Sequence, residues 1–268
     1  MRLFFYQTTY TGDDPAADPL AHSIYSAMSY DGTNFIDEGP RYTAEGVSDP
    51  DVFQVSTVAY VLFGSLGHTL IKAMAAASDS TYTAATDFAW PTGGQTSTFV
   101  VKNPDGTKEY RTFYCDTSGT IKWAKYDHAT STFGEGGTAL DNATLNGLAC
   151  DPSVIQLSDV LYLMYYNFRR TDAVLGSKGD AIYTAVSNDG KTFVPTGTLV
   201  RDKASTPGAV YLGGKIYVYF VDGSGEYNKD YSLAVAISDN NGSSYTVSEM
   251  CLGTEQIENA FDPAILAL

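Results

Sequence analysis

Ala185-Val186-Ser187-Asn188-Asp189-Gly190-Lys191-Thr192-Phe193 reads as the end of one strand, a tight turn and the start of the next strand. Asp-Gly between alternating apolar stretches is a strong hairpin signal, because Gly supplies the positive φ that such turns require. The string recurs. Ala27-Met28-Ser29-Tyr30-Asp31-Gly32-Thr33-Asn34-Phe35 is nearly the same, and Ala236-Ile237-Ser238-Asp239-Asn240-Asn241-Gly242-Ser243-Ser244-Tyr245 is one residue longer. Weaker copies are Ala76-Ala77-Ser78-Asp79-Ser80-Thr81-Tyr82 and Ala124-Lys125-Tyr126-Asp127-His128, the latter followed by Phe133. Counted from Ser29, the corresponding positions are Ser78, Tyr126, Ser187 and Ser238, at steps of 49, 48, 61 and 51 residues. Periods of that size mark solenoids, propellers or arrays.

Upstream of the turns lies a second kind of hairpin. Asp151-Pro152-Ser153-Val154-Ile155-Gln156 turns at Ser158-Asp159 into Leu161 to Tyr166, and Thr206-Pro207-Gly208-Ala209-Val210-Tyr211 turns at Gly213-Gly214 into Ile216 to Phe220. Asp49-Pro50-Asp51-Val52-Phe53-Gln54 leads likewise into Tyr60 to Phe63, and Ser97 to Val101 turns at Pro104-Asp105-Gly106 into Tyr110 to Tyr114. Each repeat is therefore four antiparallel strands, the content of a propeller blade. Met1 to Gln7 reads as a second strand lacking a first, and Asp262-Pro263-Ala264-Ile265-Leu266-Ala267-Leu268 as a first strand lacking the rest. Joined, the two ends complete a blade and protect the terminal sheet edges. The expectation is an all-β, five-bladed β-propeller in one domain, 1–268, with the ring closed by the C-terminal strand. Its blades would be 262–268 plus 1–45, 46–94, 95–147, 148–203 and 204–258. Thr69 to Ala77 has helix-forming composition, but it aligns with third strands elsewhere and is read as a strand.

Composition narrows the function. The chain has 268 residues, 31 acidic against 16 basic side chains and a formal net charge of -15. That balance opposes non-specific nucleic-acid binding, which needs clustered Lys and Arg, and disfavours anionic membrane surfaces. No apolar run approaches the roughly 20 residues of a spanning helix, so no membrane insertion is expected. The start MRLFFYQTTYTGDD lacks the features of a signal peptide. Three histidines at no ligand spacing argue against a His-based metal centre. Three cysteines without a CxxC pair allow at most one bridge; Cys115 and Cys150 fall near one face and are read as two ordinary buried thiols. Trp90 and Trp123 are read as blade packing. The 20 tyrosines suit strands and also surfaces that contact sugars.

Propeller geometry turns the alignment into a site. First strands line the channel and all start on one face, onto which the loops between second and third strands also open. That face gathers Asp49, Asp151 and Asp262 as candidate catalytic groups, with His68, Arg169, Arg170, Asp222, Glu226 and Tyr227 at the rim as candidate substrate contacts. Converging carboxylates repel, which raises the pKa of at least one, and carboxyls in different protonation states are what glycoside hydrolysis uses. An Asp-Pro can also simply cap a turn. No cofactor is required and no metal is assigned, although an acidic channel suits Ca²⁺.

On these residues the chain resembles the five-bladed propeller glycosidases of glycoside hydrolase families 43, 32 and 62. Asp-Pro-x-Val at first-strand starts, an aromatic second strand and Ala-x-Ser-x-Asp-Gly-x-x-Phe carry the likeness over essentially the whole chain. The resemblance implies a carbohydrate partner and carboxylates at the starts of successive inner strands. These would serve as base or nucleophile, as a pKa-tuning Asp and as an acid that is usually Glu. Asp262 as base and Asp49 as tuning group fit the first two roles. The third position falls near Ser97, where no Glu occurs. Glu38-Gly39-Pro40 imitates a family motif from the wrong place, which leaves Glu226, Glu258 or Asp151 as acid. The alternative is a glycan-binding propeller without turnover, such as a surface or phage-associated recognition module. Ser238 to Tyr245 also follows the sialidase Asp-box frame, which implies a structural turn.

Overall fold

The structure is a computed structural model that describes residues 1–8, 22–66, 69–89, 95–103, 105–145, 147–170, 180–223, 232–252, 255–256 and 260–268. Four four-stranded antiparallel sheets follow the chain. They are β4 (Ser48–Ser56) to β7 (Thr83–Ala89), β8 (Ser97–Lys102) to β11 (Thr132–Leu140), β12 (Gly147–Ser158) to β15 (Val194–Asp202), and β16 (Ala204–Leu212) to β19 (Thr246–Glu249). The fifth joins both ends of the chain: β22 (Ala260–Leu266) pairs antiparallel with β1 (Arg2–Thr8), which continues into β2 (His22–Met28) and β3 (Asn34–Thr43). The closing register sets Arg2 opposite Leu266 and Phe4 opposite Ala264. A short β20 (Cys251–Leu252) adds in parallel to the outer edge of β3.

The inner strands β22, β4, β8, β12 and β16 each pack against the next, and β16 returns to β22, so the ring is closed. The fold is the expected five-bladed propeller. Thr69–Ala75, the helix-like segment, is β6, hydrogen-bonded on both sides to β5 (Ala59–Leu66) and β7. Leu70, Ile71 and Ala73 are buried there, so sheet pairing overrides local propensity.

Aromatic side chains fill the wedges between blades. Tyr126 lies 5.1 Å from both Phe63 and Phe133 (ring centroids), and Phe35 meets Tyr219 edge-on at 5.7 Å. These contacts bury large apolar areas with the tilted geometry that ring quadrupoles favour. Trp123 is buried within a blade core, as expected, and Trp90 lies outside the described residues.

The recurrent turns lock the outer hairpins. Ser187 Oγ accepts the N–H groups of Asp189 and Gly190 at 3.2 and 2.9 Å and donates to Asp189 Oδ1 at 2.7 Å. Asp189 Oδ1 in turn accepts from the N–H groups of Lys191 and Thr192 at 2.7 and 2.9 Å. Ser29, Asp31, Thr33 and Asn34 repeat the arrangement, and Ser238 with Asn240 gives the longer version. Gly190 sits at φ 64°, which a side chain would resist. Neighbouring blades hold these turns: Arg111 donates to the Asp189 and Gly190 carbonyls at 2.7 and 3.1 Å, and Tyr219 Oη donates to the Gly32 carbonyl at 3.0 Å.

One sequence expectation is overturned. Cys115, ending β9 (Lys108–Cys115), and Cys150, in β12, form a disulfide with Cα atoms 5.0 Å apart. The end of one blade's second strand and the start of the next blade's first strand converge there, within bridging distance. Cys251 remains free.

Candidate active site

The five inner strands share one register. Asp51, Ser97, Ser153, Gly208 and Ala264 stand opposite Phe63, Phe113, Tyr165, Tyr219 and Phe4 of their second strands. Two residues earlier in each strand come Asp49, Gln95, Asp151, Thr206 and Asp262. Except at Gln95, the pairing is irregular at this point and the residue adopts positive φ: 49° at Asp49, 47° at Asp151, 50° at Thr206 and 50° at Asp262. A non-glycine residue in that region carries about 1–2 kcal/mol of strain, and such strain concentrates where side chains are aimed for function. Here it turns the side chains off the ladder and onto the channel mouth.

The three aspartates meet there. Asp49 and Asp262 are in direct hydrogen-bond contact, Asp151 feels the charge of Asp49, and Asp262 feels the charges of both. Ser48 Oγ donates to Asp49 Oδ2 at 2.7 Å. Asn167 Nδ2 donates to Asp151 Oδ2 at 3.3 Å, and the Gln95 N–H bonds the same carboxyl. The Ser65 hydroxyl also bonds Asp49. Burial, then the charges of Asp49 and Asp151, push Asp262 well above the carboxylate range. Burial also raises Asp49, with Ser48, Asp262 and Ser65 opposing it. Asp151 is pushed to about 6 by burial and by Asp49. The touching pair therefore titrates as one coupled unit, raised above the ordinary carboxylate range.

Two members of the site escaped the sequence reading. Gln95 occupies the fifth mouth position, two residues before the Ser97 start inferred from the pattern. Without Asp-Pro at that strand, nothing in the sequence fixed the offset. Its Nε2 donates to the Pro263 carbonyl at 3.0 Å while its buried Oε1 has no partner. Asp51 follows Asp49 by two residues, where β4 regains its regular pairing opposite Phe63. It is 6% exposed and accepts from Thr98 Oγ1 at 2.6 Å and Thr96 Oγ1 at 3.3 Å. Burial raises its carboxyl to about 6 against those bonds. With Gln95, Thr98 and Ser153 it lines a cavity of about 70 Å³ inside the channel. A larger cavity of about 350 Å³ opens at the opposite end among Phe53, Gln54, Gln156 and Tyr211, with no carboxylate in its lining.

The expected rim is only partly described. Arg169 is held bidentate by Asp180, at 2.6 and 2.8 Å. Asp222 accepts from Arg201 at 2.8 Å. Arg170 ends β13 (Leu161–Arg170), but its side chain lies outside the described residues, as do His68, Glu226, Tyr227 and Glu258. Glu38 sits on the outer strand β3, away from the mouth. Burial raises its carboxyl, but Arg2 at 2.6 and 2.7 Å and Ser26 at 2.8 Å hold it low. Among the described residues no group of three or more His, Cys, Asp or Glu is placed to hold a metal ion.

No protein-family model matches the chain, and no curated protein matches it in sequence. Solved structures do. An α-L-arabinofuranosidase of glycoside hydrolase family 43 from Clostridium thermocellum superposes with TM-score 0.60 at 12% identity, covering 97% of this chain and 92% of its own. An endo-1,4-β-xylanase from Bacteroides thetaiotaomicron gives 0.65 at 14% identity over 95% and 92%. An endo-arabinase from the same organism gives 0.59 at 13% identity over 95% and 92%. The chain thus has the five-bladed propeller fold of these glycosidases over nearly its whole length.

Proposed function

We propose that the chain is a glycoside hydrolase that cleaves an oligo- or polysaccharide with the carboxyls at the channel mouth. The observation that carries this reading is the convergence of Asp49, Asp151 and Asp262 on one mouth with unequal proton affinities. Fold alone would not suffice, since one fold hosts many functions.

The geometry supports a division of labour. Glycosidases place their two carboxyls on opposite sides of the scissile bond, about 5–5.5 Å apart when retaining and about 6.5–9.5 Å when inverting. Asp49 and Asp262, in hydrogen-bond contact, are too close to be the two poles. They act as one pole: Asp262 keeps the proton and steadies the Asp49 carboxylate, which attacks the anomeric carbon or activates water. Asp151 is the other pole. Its raised pKa lets it donate a proton to the leaving oxygen in mildly acidic solution. This exchanges the base and tuning roles that the family resemblance gave Asp262 and Asp49.

Hydrolysis of aryl glycosides, arabinan, xylan and fructan by the wild type beside Asp49→Asn and Asp151→Asn tests the reading. Turnover that falls above about pH 6 and disappears in both variants supports it; turnover unchanged in either variant sinks it. A glycan-binding module without turnover is the second reading. It is favoured by Gln95, an amide where the resemblance leads one to expect an acid, and sugar binding with no hydrolysis would establish it.

A further inference from the structure

A recess of about 280 Å³ lies beside Asp151, between the blade of β8–β11 and the blade of β12–β15. Its walls are the Cys115–Cys150 disulfide, Asp116, Leu148, Asn167 and Arg169, with the Asp151 carboxyl at one end. We propose that this recess is a subsite for a neutral sugar residue, joined to the residue held over the carboxyls. The proposal rests on the glycosidase reading above and extends it to the substrate's length and charge.

Four observations carry it. The size lies near the lower end of ligand pockets, about 300–1,000 Å³, and suits a sugar ring or two. The walls are fixed before any ligand arrives. The disulfide ties the two blades together, the Ala149 N–H donates to the Gly119 carbonyl at 3.0 Å, and Arg169 is locked on Asp180. Preorganised walls reduce the ordering cost of binding. The lining is two-sided, as a sugar ring is: Leu148 is 44% exposed and, with the disulfide, offers an apolar floor, whereas Asp116, Asn167 and Asp151 offer polar groups. Asn167 is 7% exposed, and its Oδ1 is buried without a hydrogen-bond partner, an acceptor that a ligand hydroxyl would satisfy.

Charge selects the ligand class. Among the described residues lining the recess, the one cation, Arg169, is paired with Asp180, and Asp116 is paired with Lys122 at 3.7 Å. An acidic sugar entering would meet cations already committed to carboxylates and, above about pH 6, the Asp151 charge as well, so the subsite takes uncharged residues.

Calorimetry with neutral arabino-, xylo- and galacto-oligosaccharides, set against the matching methyl monoglycosides, tests the proposal in the wild type, Leu148→Asp, Leu148→Ala and Leu161→Asp. Leu161 is an exposed leucine at the β12–β13 turn and serves as the surface control. The expected result is tighter binding of the longer sugars by the wild type. Leu148→Asp lowers that oligosaccharide-to-monosaccharide ratio about tenfold, Leu148→Ala lowers it less, and Leu161→Asp leaves it in place. A wild type indifferent to chain length, or a ratio unmoved in both Leu148 variants, overturns the subsite while leaving the carboxyl mouth standing. Glucuronate-bearing xylo-oligosaccharides that bind tighter than plain ones overturn its neutral character. If no sugar is bound or cleaved by the wild type, the glycosidase reading fails and the subsite falls with it.

Discussion

Two sets of aspartates repeat around this ring, and they behave oppositely. Those in the outer turns, Asp31 and Asp189, are surrounded by donors. The side chain and N–H of Asn34 with the N–H of Thr33 hold Asp31 far below the usual range. At Asp189 slight burial acts upward, but the N–H groups of Thr192 and Lys191 outweigh it and hold it low. Those at the inner mouth, Asp49, Asp151 and Asp262, are packed together, and burial raises all three against their hydrogen bonds. The same side chain is a low-pKa fastener in an exposed turn ringed by N–H groups and holds its proton more tightly where burial outweighs its donors. Residue type and repetition therefore do not set a carboxyl's proton affinity; burial weighed against the donors around it does.

Substitution separates the two sets. The largest effect expected is on turnover: Asp49→Asn and Asp151→Asn each reduce hydrolysis about 10³-fold, in the range that positioned acid–base groups supply, with the fold intact by circular dichroism. Next comes the staple beside Asp151. The bridge closes a separation of 35 residues, so Cys115→Ser/Cys150→Ser should cost about 3–4 kcal/mol in denaturant unfolding. The outer turns follow. Asp189→Ala strips acceptors from two N–H groups and should cost about 1–2 kcal/mol, with turnover little changed. Removing the mouth charge has the reverse sign: Asp49→Asn takes away a buried carboxylate and should gain about 1 kcal/mol while losing activity.

The pH dependence of the melting temperature sharpens the contrast by a few degrees. Asp151 and Asp51 bind protons more tightly folded than unfolded, with folded values of about 6 against an ordinary 3.8. Their contribution therefore grows as pH is lowered from about 6 towards about 4. Asp31 and Asp189 are depressed, so their contribution is present above about 4 and is lost below it. Thermal stability should peak between about pH 4 and 5, and a melt that rises steadily from pH 4 to pH 7 would contradict the raised mouth.

Most of the fold was legible because it is written in repeats. The Ser-x-Asp-Gly turns and Asp-Pro strand starts located the blades, and the unpaired character of Met1 to Gln7 and Asp262 to Leu268 located the closure. Alignment across blades also outweighed the alanine-rich composition of Thr69–Ala75, whose identity as a strand depends on neighbours on both sides. The site was legible where the repeat was strong, at Asp49, Asp151 and Asp262. It was not legible at Gln95, whose strand lacks Asp-Pro and whose offset is set by pairing of β8 with β9. Asp51 was hidden by its more conspicuous neighbour two residues earlier. The Cys115–Cys150 bridge depends on how two blades meet, a distance that spacing along the chain does not encode. The ion pairs of Arg169 with Asp180 and of Asp222 with Arg201 were not legible, because these partners become neighbours only across strands or between blades.

The unequal proton affinity of the two sets is the claim on which the chemistry stands, and ¹³C-detected titration of the aspartate carboxyls measures it directly in one sample. Asp262 should titrate well above 3.8, Asp151 near 6 and Asp189 below 3.8, with the Asp262 step moving when Asp49 is changed to Asn. Asp262 and Asp151 titrating at or below 4, alongside Asp189, would make the mouth another set of capped turns and remove the basis for acid–base chemistry there.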